Sequence, residues 1–397
     1  MEFHGWAVLL GLAVLVPAAA DDEPPPHTRT KPKDAEPFFQ IWSGGGAGFM
    51  DASGRTVIEP QFAQEGFFFN GLASVQVGLR WGFIDRSGGI AIAPRFDAAG
   101  DFTGALAPVR VGRKWGYIDR SGRMVVLPTF QGAANFREGL ARVELWDKID
   151  CRRDGIFTKD DAPIGLFFIQ PDISSGRSEC FAMDSRQGYI GENGLSAIPP
   201  RFYEAHDFYE ELAVVRVHPG DTWYIFIDRE GGVAIRAQFD EAGHFSEGLA
   251  PVRVERATVN GIRDPGRCGY IDHLGKFVIR PQFATAREFS DGLAMVSYWD
   301  PERTGYGFID KAGRSAFPDR WGYAEPFSEG LAEVSPWHRV FIDRQARVVI
   351  SNVEPLGPFS GGLALVRDSV GELYIDKTGR PVARPTDAAG LSAPHRQ

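Results

Sequence analysis

The sequence predicts an all-β protein, a tandem array of about nine three-stranded antiparallel β-meander repeats of about 34 residues. Two observations carry that expectation. The octapeptide from Trp81 to Gly88, WGFIDRSG, returns as WGYIDRSG from Trp115 to Gly122, 34 residues on. A fixed period of this size is the mark of a repeat architecture rather than of a globular domain sequence. The composition agrees: 47 glycines and 27 prolines punctuate a chain rich in phenylalanine, valine and isoleucine, which suits short strands and many turns.

The unit recurs nine times. Gly, an aromatic, Ile or Met, Asp and a later Gly stand at Gly48-Phe49-Met50-Asp51 with Gly54, at Gly82 to Gly88, and at Gly116 to Gly122. They return, with local losses, around Tyr189, Phe226, Tyr270, Phe308, Phe341 and Tyr374. A β-branched run ending near proline follows each copy, then a link with Phe, Ala and Phe at steps of three, as in Phe96, Ala99 and Phe102. Gly-Leu-Ala-x-Val closes the unit, as at Gly139-Leu140-Ala141-Arg142-Val143. Trp321-Gly322-Tyr323 imitates the opening motif, but no Ile-Asp follows, and register places Trp321 at the first link phenylalanine.

Each element has a physical reason. Leu-Ala-x-Val alternates apolar and variable residues, as a strand with one buried face does. The Gly-aromatic-Ile-Asp strand follows. Its aspartate, with a glycine three residues on, makes a tight turn: the carboxylate takes backbone N–H groups and the glycine supplies φ > 0. The turn caps are Asp51, Asp85, Asp119, Asp228, Asp272, Asp310, Asp343 and Asp376. The Val/Ile strand ends at proline, which cannot donate to a ladder. The link of about 12 residues is compatible with a helical turn or an extended crossover.

This pattern resembles the WG-repeat family of bacterial β-repeat proteins. Lys114-Trp115-Gly116-Tyr117-Ile118-Asp119 and Arg137-Glu138-Gly139-Leu140-Ala141 follow its unit closely, and the likeness runs from Phe38 to Pro385 with two interruptions. The resemblance implies an architecture and names no activity. Departures stand out: tryptophan is missing before several units, Gly191 replaces the turn aspartate of the fourth, and Ala346 replaces the turn glycine of the eighth. Those turns are expected to be weaker. The array holds whole units in one phase, which favours an open curved solenoid over the alternative, a closed β-propeller.

Outside residues 38–385 the chain reads differently. Residues 1–20 carry an apolar run from Trp6 to Val16 and an Ala18-Ala19-Ala20 site, the pattern of a signal peptide too short to span a bilayer. A Pro-rich spacer, 21–37, and a tail, 386–397, read as disordered. The chain is therefore expected to be exported, periplasmic or extracellular, with no transmembrane anchor in its mature form. Net charge of −9 argues against nucleic acid as a partner.

Sites of chemistry are sparse. No G-x-S-x-G elbow, P-loop or dinucleotide fingerprint occurs, the eight histidines show no metal-ligand spacing, and no cofactor is implied. His206 and His244 fall before link phenylalanines and read as packing. Trp81 and Trp115 are candidates for an aromatic binding surface, weighed against plain packing of a repeated fold. The insertion 147–187 reads as a solvated loop, and its Cys151 and Cys180 could pair in an oxidising compartment, a question spacing leaves open. A second insertion, 255–267, is polar and loop-like. The resulting expectation is a non-catalytic binding or scaffold protein for a protein or cell-envelope glycan; the alternative is a carbohydrate- or envelope-active enzyme on the same scaffold.

Overall fold

A computed structural model describes residues 35–150, 167–172, 177–254, 266–298, 305–335 and 339–385; for 147–150, 167–172 and 177–184 it describes the backbone alone. The described chain forms nine small antiparallel sheets and no helix. They are the blades of a nine-bladed β-propeller, the closed alternative to the open solenoid. The second blade sets the pattern, with strands Gln64–Glu65, Leu72–Val77, Arg80–Asp85 and Ile90–Phe96 paired in that order.

The fourth strand per blade comes from the link. Gln64 and Glu65 leave the first blade's last strand, Thr56–Phe62, and pair at once with Gln76 and Val75 of the second. The link is thus neither helix nor plain crossover: most blades lend two residues to the next, and the link into the three-stranded seventh blade is the longer strand Thr285–Ser290. Leu-Ala-x-Val is consequently buried on both faces. Ser74, at the x position, donates from Oγ to Asp101 Oδ1 of the third blade at 3.3 Å, and Arg142 donates to Ala205 O of the fifth at 3.1 Å. A strand between two neighbouring blades has no solvent side.

One aromatic contact repeats at blade boundaries. Phe83 meets Phe102 edge-on at 4.8 Å, Tyr189 meets Phe208 at 4.9 Å, and Phe308 meets Phe327 at 4.9 Å. The strand aromatic of one blade therefore packs on the link phenylalanine of the next, a geometry aromatic quadrupoles favour. Trp321 pairs with Tyr306 as Phe96 pairs with Trp81, so it is a substituted link residue.

A carboxylate clamp accompanies the aromatic contact. Glu247 and Gly248 have φ of +56° and +89° and form a two-residue hairpin turn, closed by mutual hydrogen bonds of Ser246 and Leu249. Both Glu247 oxygens accept from Gly292 N, in the next blade's equivalent turn, at 3.1 Å, and Lys311 Nζ lies at 3.2 Å. Glu329 likewise takes Gly361 N at 2.6 Å and Gly362 N at 3.0 Å, with Lys377 at 3.0 Å. Glu36 takes Gly71 N at 2.6 Å and pairs with Arg86 at 2.7 Å, which holds its carboxyl below the ordinary range. The bases are the residues just after the turn aspartates. Where glycine replaces the acid, at Gly104 and Gly361, the facing base is also gone, replaced by Glu192 and Ala52.

The ring closes differently. Phe39, Ile41 and Met50 of the first blade share a core with Leu363 and Tyr374 of the ninth. Tyr374 Oη donates to Gln40 O at 2.9 Å, and Trp42 N donates to Pro385 O at 3.0 Å. The first blade has only strands Phe38–Ser43, Gly46–Asp51 and Thr56–Phe62. Chain from the ninth blade thus supplies pairing on the edge where other blades carry their two-residue strand. The solenoid argument failed at this point because the joining contacts link residues from opposite ends of the repeats, which no local sequence motif records.

Two further placements differ from expectation. Ala35 is buried with Phe67 and Phe69, and Glu36 clamps the second blade, so residues 35–36 belong to the array rather than to the spacer. The first insertion is not simply a loop: strands Leu140–Asp150 and Arg177–Gly191 continue through it in register, with Phe167–Asp172 alongside. The signal peptide, the tail, residues 255–265 and Cys151 lie outside the described residues.

The eighth turn offers a direct check on backbone strain. Ala346 sits at φ +58° and donates to Asp343 O at 2.9 Å, where its counterparts are glycines such as Gly54 at +85°. An L-residue there costs about 1–2 kcal/mol, partly offset by glycine's unfolded-state entropy. Ala346→Gly should therefore raise stability by about 0.5–1 kcal/mol in urea unfolding; a loss of stability would contradict the strain.

Candidate functional site

The repeated motif residues are occupied by the fold. Asp85 Oδ1 accepts from Ser87 N at 2.8 Å and Gly89 N at 3.0 Å, and Asp119 and Asp343 accept from the equivalent amides. Asp51, Asp228, Asp272, Asp310 and Asp376 cap their turns in the same way. The Ser53 hydroxyl, with Arg55 and the turn amides, holds Asp51 down at about 2. Among the described residues no group of three or more His, Cys, Asp or Glu is placed to hold a metal ion.

The tryptophan position varies from blade to blade. Trp81 is half-buried and packs beside the Phe83 and Phe96 core, and Trp115 lies half-buried with the Arg110 guanidinium 5.8 Å from its ring. By strand register the same place holds Ala47, Gln187, Tyr224, Cys268, Tyr306 and Glu372 in other blades. His244 stacks on Tyr209 at 3.8 Å, and burial pushes its pKa down. Cys268 is a buried free thiol, and Cys180 lies on the backbone of the Arg177–Gly191 strand opposite Ile169.

The eighth blade breaks the pattern most. Its strands are Tyr323–Ala324, Leu331–Ser335, Val340–Asp343 and Val348–Ile350, and the ninth blade begins at Glu354–Pro355. Val340 pairs with Val334 and so takes the motif glycine's place, which puts Arg339 in that of the tryptophan. Glu333 fills the x position of Leu331-Ala332-Glu333-Val334 and therefore faces the ninth blade. Between the two blades lies a cavity of about 530 Å³.

Its chemistry follows from these substitutions. Glu333 is 6% exposed; its Oε1 lies 3.1 Å from Arg339 Nη1 but receives no hydrogen bond of good geometry. The Arg339 guanidinium stands 4.6 Å over the Tyr323 ring, and Tyr323 Oη donates to Glu325 Oε1 at 2.5 Å. Glu354 completes the polar lining, with Arg367 at 3.4 Å; Pro355, Leu356 and Pro358 form an apolar wall. Burial lifts the Glu333 carboxyl to about 7 against the pull of Arg339, with Glu325 and Glu354 pushing the same way as burial. Burial and the bond to Glu325 raise the Tyr323 phenol.

Sequence reasoning treated the x position as a free surface place and passed over Glu333. Its signal was present: an acid inside a Leu-Ala-x-Val strand that is otherwise apolar, eight residues after Glu325.

Fold and cavity together define a repeat β-propeller with a cavity at the boundary of its eighth and ninth blades. The sequence signature of the WG containing repeat matches residues 48–78, 81–115, 115–148, 188–218, 226–255, 269–298 and 306–335, and the chain belongs to that family. No curated protein sequence matches it. Among solved structures it is similar to a eukaryotic initiation factor, at 13% identity and TM-score 0.39 over 78% of this chain and 94% of the other. It is also similar to the Pyrococcus horikoshii acylaminoacyl peptidase, at 10% identity and TM-score 0.35 over 77% and 56%. Likeness at this level says nothing of function.

Glu333 gives the site a stability signature. Its pKa is raised on folding, so the folded state holds the proton more tightly than the unfolded one. Stability is then lost as pH rises from about 4.5 through about 7. Relative to Glu333→Gln, the wild-type chain should lose roughly 2–3 kcal/mol between pH 4.5 and 8 in urea unfolding. Parallel pH profiles would show that the carboxyl is not buried as described.

Proposed function

We propose that this chain is an exported, non-catalytic binding or scaffold protein whose partner is a protein or a cell-envelope glycan. One observation carries the reading: the cavity between the eighth and ninth blades, built where Arg339 and Glu333 depart from the repeat. The turn aspartates and the clamp acids serve the fold, whereas these two residues meet in a concave, partly apolar pocket of the kind that takes ligands. Export is supported by the apolar run Trp6–Val16 and the alanines before Asp21. Among the described residues no helix is long and apolar enough to cross a membrane.

A second reading, an envelope- or carbohydrate-active enzyme, draws support from one fact. A carboxyl near 7 beside two others is the arrangement from which general acids are made. Arg339, paired with it and stacked on Tyr323, favours binding over proton transfer.

The test is retention of a partner from periplasmic extract and on a glycan array by the chain without residues 1–20, beside its Glu354→Arg variant. A partner retained by the first and lost by the second is expected. Equal retention by both, or none in either assay, would contradict the reading; release of glycan fragments that Glu333→Gln abolishes would favour the enzyme.

A further inference from the structure

We propose that the cavity between the eighth and ninth blades binds an alkylammonium group, brought by a linear diamine or polyamine or by a lysine side chain. The inference rests on the reading of the chain as a binding protein and names the chemistry of its ligand.

The lining decides the class. Three carboxyl groups, Glu325, Glu333 and Glu354, share the cavity with one guanidinium, that of Arg339. Carboxylates only accept hydrogen bonds, and an ammonium only donates them. A neutral sugar would need donors as well. Tyr323 Oη is committed to Glu325, and the Arg339 guanidinium is ion-paired with Glu333 and lies over the face of Tyr323. Glu333 Oε1, 94% of whose residue surface is covered, is a buried acceptor with an ion pair and no hydrogen bond. An ammonium in the cavity adds a counter-charge beside this buried carboxyl and screens it from the other two acids.

Geometry separates an organic cation from a metal. The three carboxyl groups line one cavity yet do not converge as a metal site requires. A cavity of about 530 Å³ has room for several methylenes. Pro355, Leu356 and Pro358 give those methylenes an apolar wall, in the way long ammonium side chains cover apolar surface while their heads reach charge.

Binding is linked to protons. Glu333 faces Arg339, Tyr323 and Glu325 from its own blade and Glu354 from the next. With its carboxyl near 7, a cation that needs it ionised drives a proton off. Affinity then rises about tenfold from pH 6 to pH 8, as the ionised fraction rises from roughly one tenth to nine tenths.

Calorimetric titration of the full chain with 1,5-diaminopentane, 1-pentanol, glucose and an acetylated, amidated lysine peptide tests this. The diamine should bind, more tightly at pH 8 than at pH 6, while pentanol and glucose do not. Glu333→Gln should weaken binding at least tenfold at pH 8 and flatten the pH dependence. Glu354→Gln, at an exposed position that leaves thermal unfolding unchanged, should weaken it threefold or more and decides the matter if Glu333→Gln fails to fold. A lysine peptide that binds more tightly than the diamine marks a protein as the source; the reverse order marks a free amine. No heat with either amine, equal binding by the variants, or equal binding of pentanol or glucose overturns the proposal. If the amines fail while a partner is still retained through Glu354, the binding reading stands and the ligand class falls.

Discussion

A carboxylate at a left-handed turn position, gripped by the backbone of the next blade, is the interaction on which this ring depends. Glu247 shows its parts: a turn residue with φ +56°, two oxygens on Gly292 N, and a lysine alongside. A hydrogen bond to a charged group is worth about 1.5–3 kcal/mol, more than a neutral one. Repeated at most blade boundaries, it fixes the angle between neighbours at the same end of the sheets. The aromatic pair, Phe83 on Phe102 and its equivalents, fixes the spacing inside. Together these explain why Glu-Gly-Leu-Ala and Ile-Asp-Arg are written so often. The acid of the first word and the base that follows the turn aspartate belong to different blades and meet across the boundary, as Glu247 meets Lys311 and Glu329 meets Lys377.

The exceptions support the same account. Gly104 and Gly361 remove the acid, and at each boundary the facing base is absent too, with Glu192 in one place and Ala52 in the other. Where Asn70 stands in place of the acid, the facing base is kept, and Arg120 donates to the Asn70 carbonyl at 2.7 Å instead. The boundary at Gly361 is the ring seam. There Tyr374, the shared core with Phe39 and Ile41, and the bond from Trp42 to Pro385 take over.

Much of this was legible in the residues, and the rest was hidden for physical reasons. The turn from Asp85 to Gly89 is local, so five residues contain its whole explanation. The strand Gln64–Glu65 is not local: two residues become a strand only because Gln76 and Val75 of the next blade are waiting. Closure was hidden likewise, since Trp42 and Pro385 lie at opposite ends of the repeats. Glu333 was hidden by the pattern itself, because the x position carries Ser74, Arg142 or Met295 elsewhere and reads as variable. It is variable because each residue there fits a different neighbour. Glu333 and Arg339 then became a site when both departures fell on one blade boundary.

The clamp is the central claim, and hydrogen exchange at single amides tests it most directly. Glu247→Gly removes the carboxylate without strain, as Gly104 and Gly361 do naturally in the same place. Exchange at the Gly292 amide should then accelerate strongly, while amides within the Ala250–Val254 and Arg267–Ile271 strands keep their protection. A Gly292 amide that exchanges at one rate with and without Glu247 would contradict the account.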